Sequence, residues 1–240
     1  MEAMSHEAMV AHAGNADSVD IHQYAVKFSR SEIIAGKETS LEFSITDKMT
    51  GEPVTELDIV HDKPMHIILV RDDLKHFDHI HPTLDGDSWT VPYSFAAGDY
   101  RIRIDFTHDG MGYLVDFDLA VPGADAAEQD RLGDVHAMLH APEHIIAGEQ
   151  AMLDIAIMDT SGKPVPITEK FLAANAHLVI IDSTLQEFSH THDMRSDGDN
   201  ILSFRHTFSK PGTYKAWAQF SVEGKERTSE FDLAVKQSPE

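Results

Sequence analysis

Several short stretches of the chain alternate between apolar and polar residues. In TSLEFSI the apolar positions are Leu41, Phe43 and Ile45, and AMLDIAI repeats this pattern later in the chain. Segments typical of turns, such as TGEPV, SGKPV and KPGTY, separate these runs. A period of two with such boundaries is typical of antiparallel strands that bury one face. The segments MHIILV and HLVII are apolar at nearly every position, which indicates strands that are buried on both faces.

The second half of the chain repeats the first. Glu32–Val54 aligns with His144–Val165 with one extra residue in the first copy, and residues 66–82 match 177–193 without a gap. With no convincing helical period, these repeats predict an all-β protein of two tandem immunoglobulin-like (cupredoxin-like) antiparallel β-sandwich domains related by internal duplication. The predicted divisions are a flexible tail containing Met and His at 1–21, domain 1 at 22–121, a linker at 122–133 and domain 2 at 134–236.

Composition narrows the chemistry available to the chain. The net charge of −22 disfavours nucleic acids and anionic membranes as partners, because both would repel it. No apolar run is long enough for membrane insertion and no leader opens the sequence, so we expect that any export leader has been removed. With no cysteine, disulfides, thiolate zinc sites and iron–sulfur clusters are excluded. The 16 histidines are the clear compositional excess.

Three histidines occupy equivalent positions in the gap-free block of the repeat. The pairs are His66 with His177, His79 with His190, and His81 with His192, each separated by 111 residues. In an extended segment two histidines that are two residues apart, such as His79 and His81, point to one side, and a tight turn before them brings His66 beside them. The same holds for the three histidines of the second copy. Imidazoles on neighbouring strands form sites for Cu²⁺ or Zn²⁺. The sequence therefore predicts one three-histidine metal site in each domain.

A fourth ligand is less clearly indicated. Asp105, Met65 and His76 are candidates in domain 1, whereas domain 2 has Gln219 and Glu187 in place of Asp105 and His76. We therefore expect the two sites to differ in charge and affinity. The tail offers thioethers and imidazoles that suit Cu(I), or is a tag remnant or linker that is rich in Met by chance; the residues concerned are Met1, Met4, Met9, His6 and His12. The isolated histidines are interpreted as solvated residues: His61, His108, His136, His140 and His206.

The block MHIILVRDDLKHFDHIHP, with SFAAGDYRIRIDF after it, resembles the exported YtkA-like or FixH-like β-sandwich domains, which are associated with copper and heavy-metal handling. The matching positions in the first copy are Met65, His66, Asp73, Leu74, Phe77, His79, His81, Pro82, Gly98, Tyr100, Asp105 and Phe106. The second copy departs at Ala176, Asp193 and Gln219, which puts its metal specificity in doubt. The resemblance implies a metal-related role in the periplasm or at the cell surface.

These observations favour an exported, non-enzymatic protein that binds copper, or zinc as the second choice, for buffering, delivery or resistance. Its expected partners are a metal ion and either a metal-delivery protein or further copies joined through strand edges. One alternative is a structural or adhesive extracellular module that assembles into oligomers or filaments. Another is a zinc hydratase or hydrolase, because a three-histidine zinc site with an open position can activate water. No residue is assigned a catalytic role.

Overall fold

The computed structural model describes residues 8–29, 33–124, 131–195 and 198–238. The chain divides into two compact units, Met1–Glu128 and Gln129–Glu240, so the division falls within the segment expected to be a linker. All regular structure in the described ranges is β-strand, as the alternating pattern predicts. These ranges contain no helix long and apolar enough to cross a membrane.

Unit 1 is a sandwich of two five-stranded sheets. Its strands are β1 (Met9–Gly14), β2 (Ser18–Ile21), β3 (Tyr24–Ser29), β4 (Glu38–Asp47), β5 (Met65–Arg71), β6 (Phe77–Ile80), β7 (Thr83–Asp85), β8 (Ser88–Ser94), β9 (Gly98–His108) and β10 (Met111–Val121). One sheet has the order β2-β3-β4-β8-β7, and the other has the order β1-β10-β9-β5-β6.

Unit 2 repeats this architecture with fewer strands in one sheet. Its strands are β11 (Val135–His140), β12 (Ile145–Ile146), β13 (Gln150–Asp159), β14 (Ala176–Asp182), β15 (Phe188–His192), β16 (Ile201–Thr207), β17 (Gly212–Val222) and β18 (Lys225–Lys236). The described strands form a three-stranded sheet, β11-β13-β16, and a five-stranded sheet, β12-β18-β17-β14-β15. Two tandem β-sandwich domains are therefore present, as the internal repeat predicts.

Each core lies between the two sheets of its unit and is built from the alternating apolar positions. Leu41, Phe43 and Ile45 on β4 are at most 1% exposed, and Phe43 stacks on Phe28 with the ring centroids 4.9 Å apart. Unit 2 buries the equivalent side chains of β13 in the same way. Burial of these apolar faces drives the sheets together, since each fully buried side chain of this size contributes about 1.5–3 kcal/mol.

The strand that carries the first histidine of each set is an interior strand of its sheet. All seven residues of β5 are buried, and β5 lies between β9 and β6. β14 lies in the same way between β17 and β15. In each unit the next strand returns antiparallel after a tight turn, in which Leu74 or Leu185 takes a left-handed φ of 59°. These two hairpins position the candidate sites.

The expectation of a flexible tail at 1–21 is wrong for residues 9–14 and 18–21. Met9–Gly14 forms β1, which pairs in parallel with β10, and Ser18–Ile21 forms β2, which pairs with β3. The open side of β10 offers backbone hydrogen-bonding groups that β1 satisfies, and Met9 packs against the core of unit 1. His12 contacts Asp118 at 3.1 Å. The other tail candidates, Met1, Met4 and His6, lie outside the described residues.

Candidate metal centres

Three imidazole nitrogens converge in unit 1. His66 lies on β5, His79 lies on β6, and His81 directly follows β6. The Nδ1 atom of His66 is 2.9 Å from Nε2 of His79 and 3.1 Å from Nε2 of His81, and the two Nε2 atoms are 3.2 Å apart. His66 and His79 are buried, whereas His81 is partly exposed. The structure therefore brings together the three histidines that the sequence singles out in this domain.

Hydrogen bonding among the three rings does not account for this triangle. A ring N–H points in one direction and serves one partner, and a nitrogen without a proton donates nothing. A cation, in contrast, accepts lone pairs from all three nitrogens. Nδ1 of His66 and Nε2 of His79 and of His81 would therefore hold a transition-metal ion as three nitrogen ligands.

A backbone carbonyl fixes the orientation of the His66 ring. The Nε2 of His66 lies 2.9 Å from the carbonyl oxygen of Val60, so Nε2 carries the proton and donates it, while Nδ1 presents its lone pair to the triangle. Orienting a metal-binding imidazole through its second nitrogen is a common feature of histidine metal sites. Val60 begins a tight turn that is closed by two backbone hydrogen bonds between Val60 and Lys63. The central residues of this turn, His61 and Asp62, have left-handed φ angles of 52° and 64°.

The protonation of His66 also suits metal binding. Burial lowers the pKa of His66 from 6.5 to about 4, while its hydrogen bond to Val60 acts in the opposite direction. Charges on His61 and Lys63 lower the pKa further. The ring is therefore neutral at pH 7, and its Nδ1 need not lose a proton before it binds an ion.

Unit 2 contains a second triad with the same construction. His177 lies on β14, and His190 and His192 lie on β15, where His192 is opposite His177 in the sheet register. One ring nitrogen of each histidine lies within 4.8 Å of the other two, and Nδ1 of His177 is 2.9 Å from Nε2 of His190. The Nε2 of His177 lies 2.9 Å from the carbonyl oxygen of Phe171, which begins a tight turn equivalent to that of Val60. The duplication therefore includes the carbonyl that orients the ring.

The two triads differ in the neighbour supplied by the adjacent strand. Asp105 on β9 is opposite His66 on β5, and burial raises the pKa of Asp105 to about 6, against the opposing charge of Arg103. Gln219 on β17 occupies the equivalent position opposite His177 and donates a hydrogen bond to Glu226 at 3.1 Å. Unit 1 thus has a titratable carboxyl group beside its triad where unit 2 has a neutral amide.

The other two candidates for a fourth ligand lie elsewhere. Met65 precedes His66 on β5, so its side chain points to the opposite face of the sheet, and it belongs to the core of unit 1 with no exposed surface. His76 contacts the Tyr93 hydroxyl at 2.9 Å and the Asp78 carboxylate at 3.2 Å. The expectation that Met65 is a ligand does not hold in this geometry, because strand alternation places it in the core.

Sequence reasoning missed the two carbonyl groups that orient His66 and His177. The turns that supply them have unrelated sequences, with His61 and Asp62 in one and Leu172 and Ala173 in the other. All four residues have a left-handed φ, which is uncommon for residues other than glycine. Any residue can provide a carbonyl, so no side-chain pattern could identify these groups.

No curated protein matches the sequence. Among solved structures, Escherichia coli alpha-2-macroglobulin activated by porcine elastase aligns with 12% identity, 92% of this chain and a TM-score of 0.33. Salmonella alpha-2-macroglobulin reacted with methylamine aligns with 12% identity, 94% of this chain and a TM-score of 0.29. The chain spans only 24% and 15% of the lengths of these two proteins.

A family model gives a more specific result. The model described as Domain of unknown function (DUF8832) matches residues 17–123 and, a second time, residues 130–237. Each match covers one of the two sandwich units and includes its three histidines. The chain therefore belongs to the DUF8832 family and carries two tandem copies of its domain.

Proposed function

We propose that this protein binds one transition-metal ion in each unit through the three converging imidazoles, and that it serves in metal buffering, delivery or resistance. The observation that carries this proposal is the triangle of His66, His79 and His81, with nitrogens 2.9–3.2 Å apart. Its recurrence in unit 2, with the carbonyl that orients the first ring, supports the same conclusion for the second site.

Copper is the first choice and zinc the second. Neutral imidazoles bind both metals, and the affinity of nitrogen ligands for divalent ions is greatest for Cu²⁺. A net charge of −22 raises the local concentration of any cation at the surface. The resemblance to YtkA-like and FixH-like domains favours copper and a location in the periplasm or at the cell surface.

A role without catalysis fits the differences between the two units. A hydratase or hydrolase needs a metal-bound water and a group that accepts its proton. Asp105 is placed to accept a proton in unit 1, but Gln219 at the same position in unit 2 has no titratable group. The parts common to both units are the three imidazoles and the orienting carbonyl, which are sufficient for binding.

Metal stoichiometry tests the proposal directly. The full chain is stripped with a chelator, titrated separately with Cu²⁺, Zn²⁺ and Ni²⁺, and analysed for bound metal after equilibrium dialysis. We expect two equivalents of the preferred ion, with nitrogen and oxygen neighbours in its X-ray absorption spectrum. Binding well below one equivalent for all three ions would contradict the proposal.

The same preparation separates binding from catalysis. The zinc-loaded chain is assayed for CO₂ hydration and ester hydrolysis against an equal concentration of free zinc. We expect no rate above that of free zinc. A higher rate that is lost with His79→Ala would instead assign hydratase or hydrolase activity to the unit 1 site.

A further inference from the structure

One surface of unit 2 carries an unusual set of side chains. His136, Met138 and His140 alternate along β11 and point away from the core, because Val135, Ala137 and Leu139 between them point inward. On the neighbouring strand β13, Met158 lies opposite His136, and Met152 shares the same face. We call these five residues the thioether face: His136, Met138, His140, Met152 and Met158.

Packing does not explain these residues. Met138 and Met152 are 50% and 39% exposed, His136 and His140 are also exposed, and Met158 is partly exposed. Outward positions of a sheet with one buried face are ordinarily polar, so methionines there expose apolar surface without contributing to the core.

Unit 1 provides an internal comparison. Its β3–β4 pair is equivalent to β11–β13, since Tyr24 pairs with Asp47 as Val135 pairs with Asp159. In this register the positions of the thioether face are occupied in unit 1 by Ala25, Lys27, Ser29, Ser40 and Thr46. The same fold is therefore compatible with an ordinary polar face. The concentration of sulfur and imidazole is specific to unit 2.

The register allows three of these ligands to meet. Side chains directly opposite on antiparallel strands have Cβ atoms about 4.5–5.5 Å apart, and diagonal neighbours are about 7–8 Å apart. His136 and Met158 are a direct pair, and Met138 is the diagonal neighbour of Met158. Methionine has three rotatable side-chain bonds, so both sulfur atoms can reach an ion that is held by the imidazole of His136.

We propose that the thioether face is a third metal site, which binds a soft monovalent ion, Cu(I), through one imidazole nitrogen and two thioether sulfurs. His136, Met138 and Met158 supply these atoms, and His140 and Met152 lie further along the same face. Thioethers select Cu(I), whereas the triads offer nitrogen ligands. The ion binds and leaves in one oxidation state, so no electron transfer is involved. This site does not depend on the function proposed for the triads.

The test uses the zinc-loaded full chain and two isosteric variants. Met138→Leu combined with Met158→Leu removes both sulfurs at nearly constant volume. Met49→Leu is the matched control, since Met49 is 85% exposed on unit 1 and distant in sequence from this face. Ag(I), which shares the soft character of Cu(I), is titrated by calorimetry. X-ray absorption of Cu(I)-loaded samples then reports whether sulfur is bound to the ion.

We expect the wild type and Met49→Leu to bind Ag(I) and to show sulfur bound to copper. In the double variant we expect at least tenfold weaker Ag(I) binding and loss of the sulfur signal, with bound zinc unchanged. A sulfur signal that persists in the double variant, or equal Ag(I) affinity in all three proteins, would overturn the assignment. Failure of the triads would appear separately, as absence of bound zinc.

A gain-of-function variant covers the case in which the double variant does not fold. Ala25→His, Lys27→Met and Thr46→Met together transfer the three ligands to the equivalent outward-facing positions of unit 1, of which Lys27 is exposed and the other two are partly exposed. We expect this variant to bind one additional Ag(I) ion and to raise the sulfur signal of the Cu(I)-loaded protein. An unchanged Ag(I) stoichiometry in the folded variant would refute the site.

Discussion

Removal of one imidazole from each unit tests the two triads separately. His79→Ala leaves His66 Nδ1 and His81 Nε2 3.1 Å apart as a two-ligand site, which holds a divalent ion much more weakly than three ligands do. His190→Ala removes the corresponding ligand from unit 2. We expect the zinc content to fall from two equivalents in the wild type to one in each single variant and to none in the double variant.

The stabilisation of each unit by zinc should be lost in the same variants that lose its zinc ion. At a free zinc concentration 100 times the Kd, one filled site stabilises the folded state by about 2.7 kcal/mol. For a domain of roughly 100 residues this corresponds to a rise in Tm on the order of 10–20 °C. Zinc should therefore stabilise only the unit whose triad is intact in each single variant, and neither unit in the double variant.

Elemental analysis and differential scanning calorimetry, each with and without zinc, measure these two quantities. His76→Ala is the matched control, because His76 lies three residues before His79 but contacts Tyr93 and Asp78. The control should keep both equivalents of zinc. Retention of two equivalents by His79→Ala, or an equal loss in His76→Ala, would refute the assignment of the triad.

Three further predictions concern stability. Leu172→Asn with Ala173→Gly should raise the unfolding free energy by about 1 kcal/mol in urea denaturation, because both residues adopt a left-handed φ that Asn and Gly tolerate better; a loss of stability would contradict this. In the metal-free chain the unfolded state binds a proton at His66 near pH 6.5 and the folded state only near pH 4, so the contribution of His66 to stability is complete above pH 6.5 and about 3 kcal/mol of it is lost by pH 4. The raised pKa of Asp105 acts in the opposite direction over this range, so the loss is measured as a difference: as the pH falls, the urea midpoint of the wild type should drop relative to that of His66→Gln. Arg103→Met should cost about 3 kcal/mol because it removes the 2.6 Å hydrogen bond to the buried Asp116 and leaves that carboxylate the longer contact with Arg101 at 3.5 Å, and combining it with Asp116→Leu should recover most of that loss.

Much of the fold could be predicted because it depends on local order in the sequence. The alternation of Leu41, Phe43 and Ile45 predicts strand β4 and its buried face, and the repeat predicts the second sandwich. The segment at Met9–Gly14 carries little β-pattern of its own, so the sequence does not predict this strand. It becomes a strand through its pairing with β10, which is a contact between distant parts of the chain.

The sequence by itself determined that His79 and His81 share one side of a strand, because the two-residue period of an extended chain is a local property. It also determined that the triad occurs twice, once in each unit, since the duplication is visible in the chain. Only the tertiary structure decided that Met65 lies in the core, and that the carbonyl groups of Val60 and Phe171 orient the first ring of each triad. These outcomes depend on which distant groups come together when the sheets pack, whether as core contacts or as hydrogen bonds. The order of residues along the chain does not show which distant groups will be neighbours.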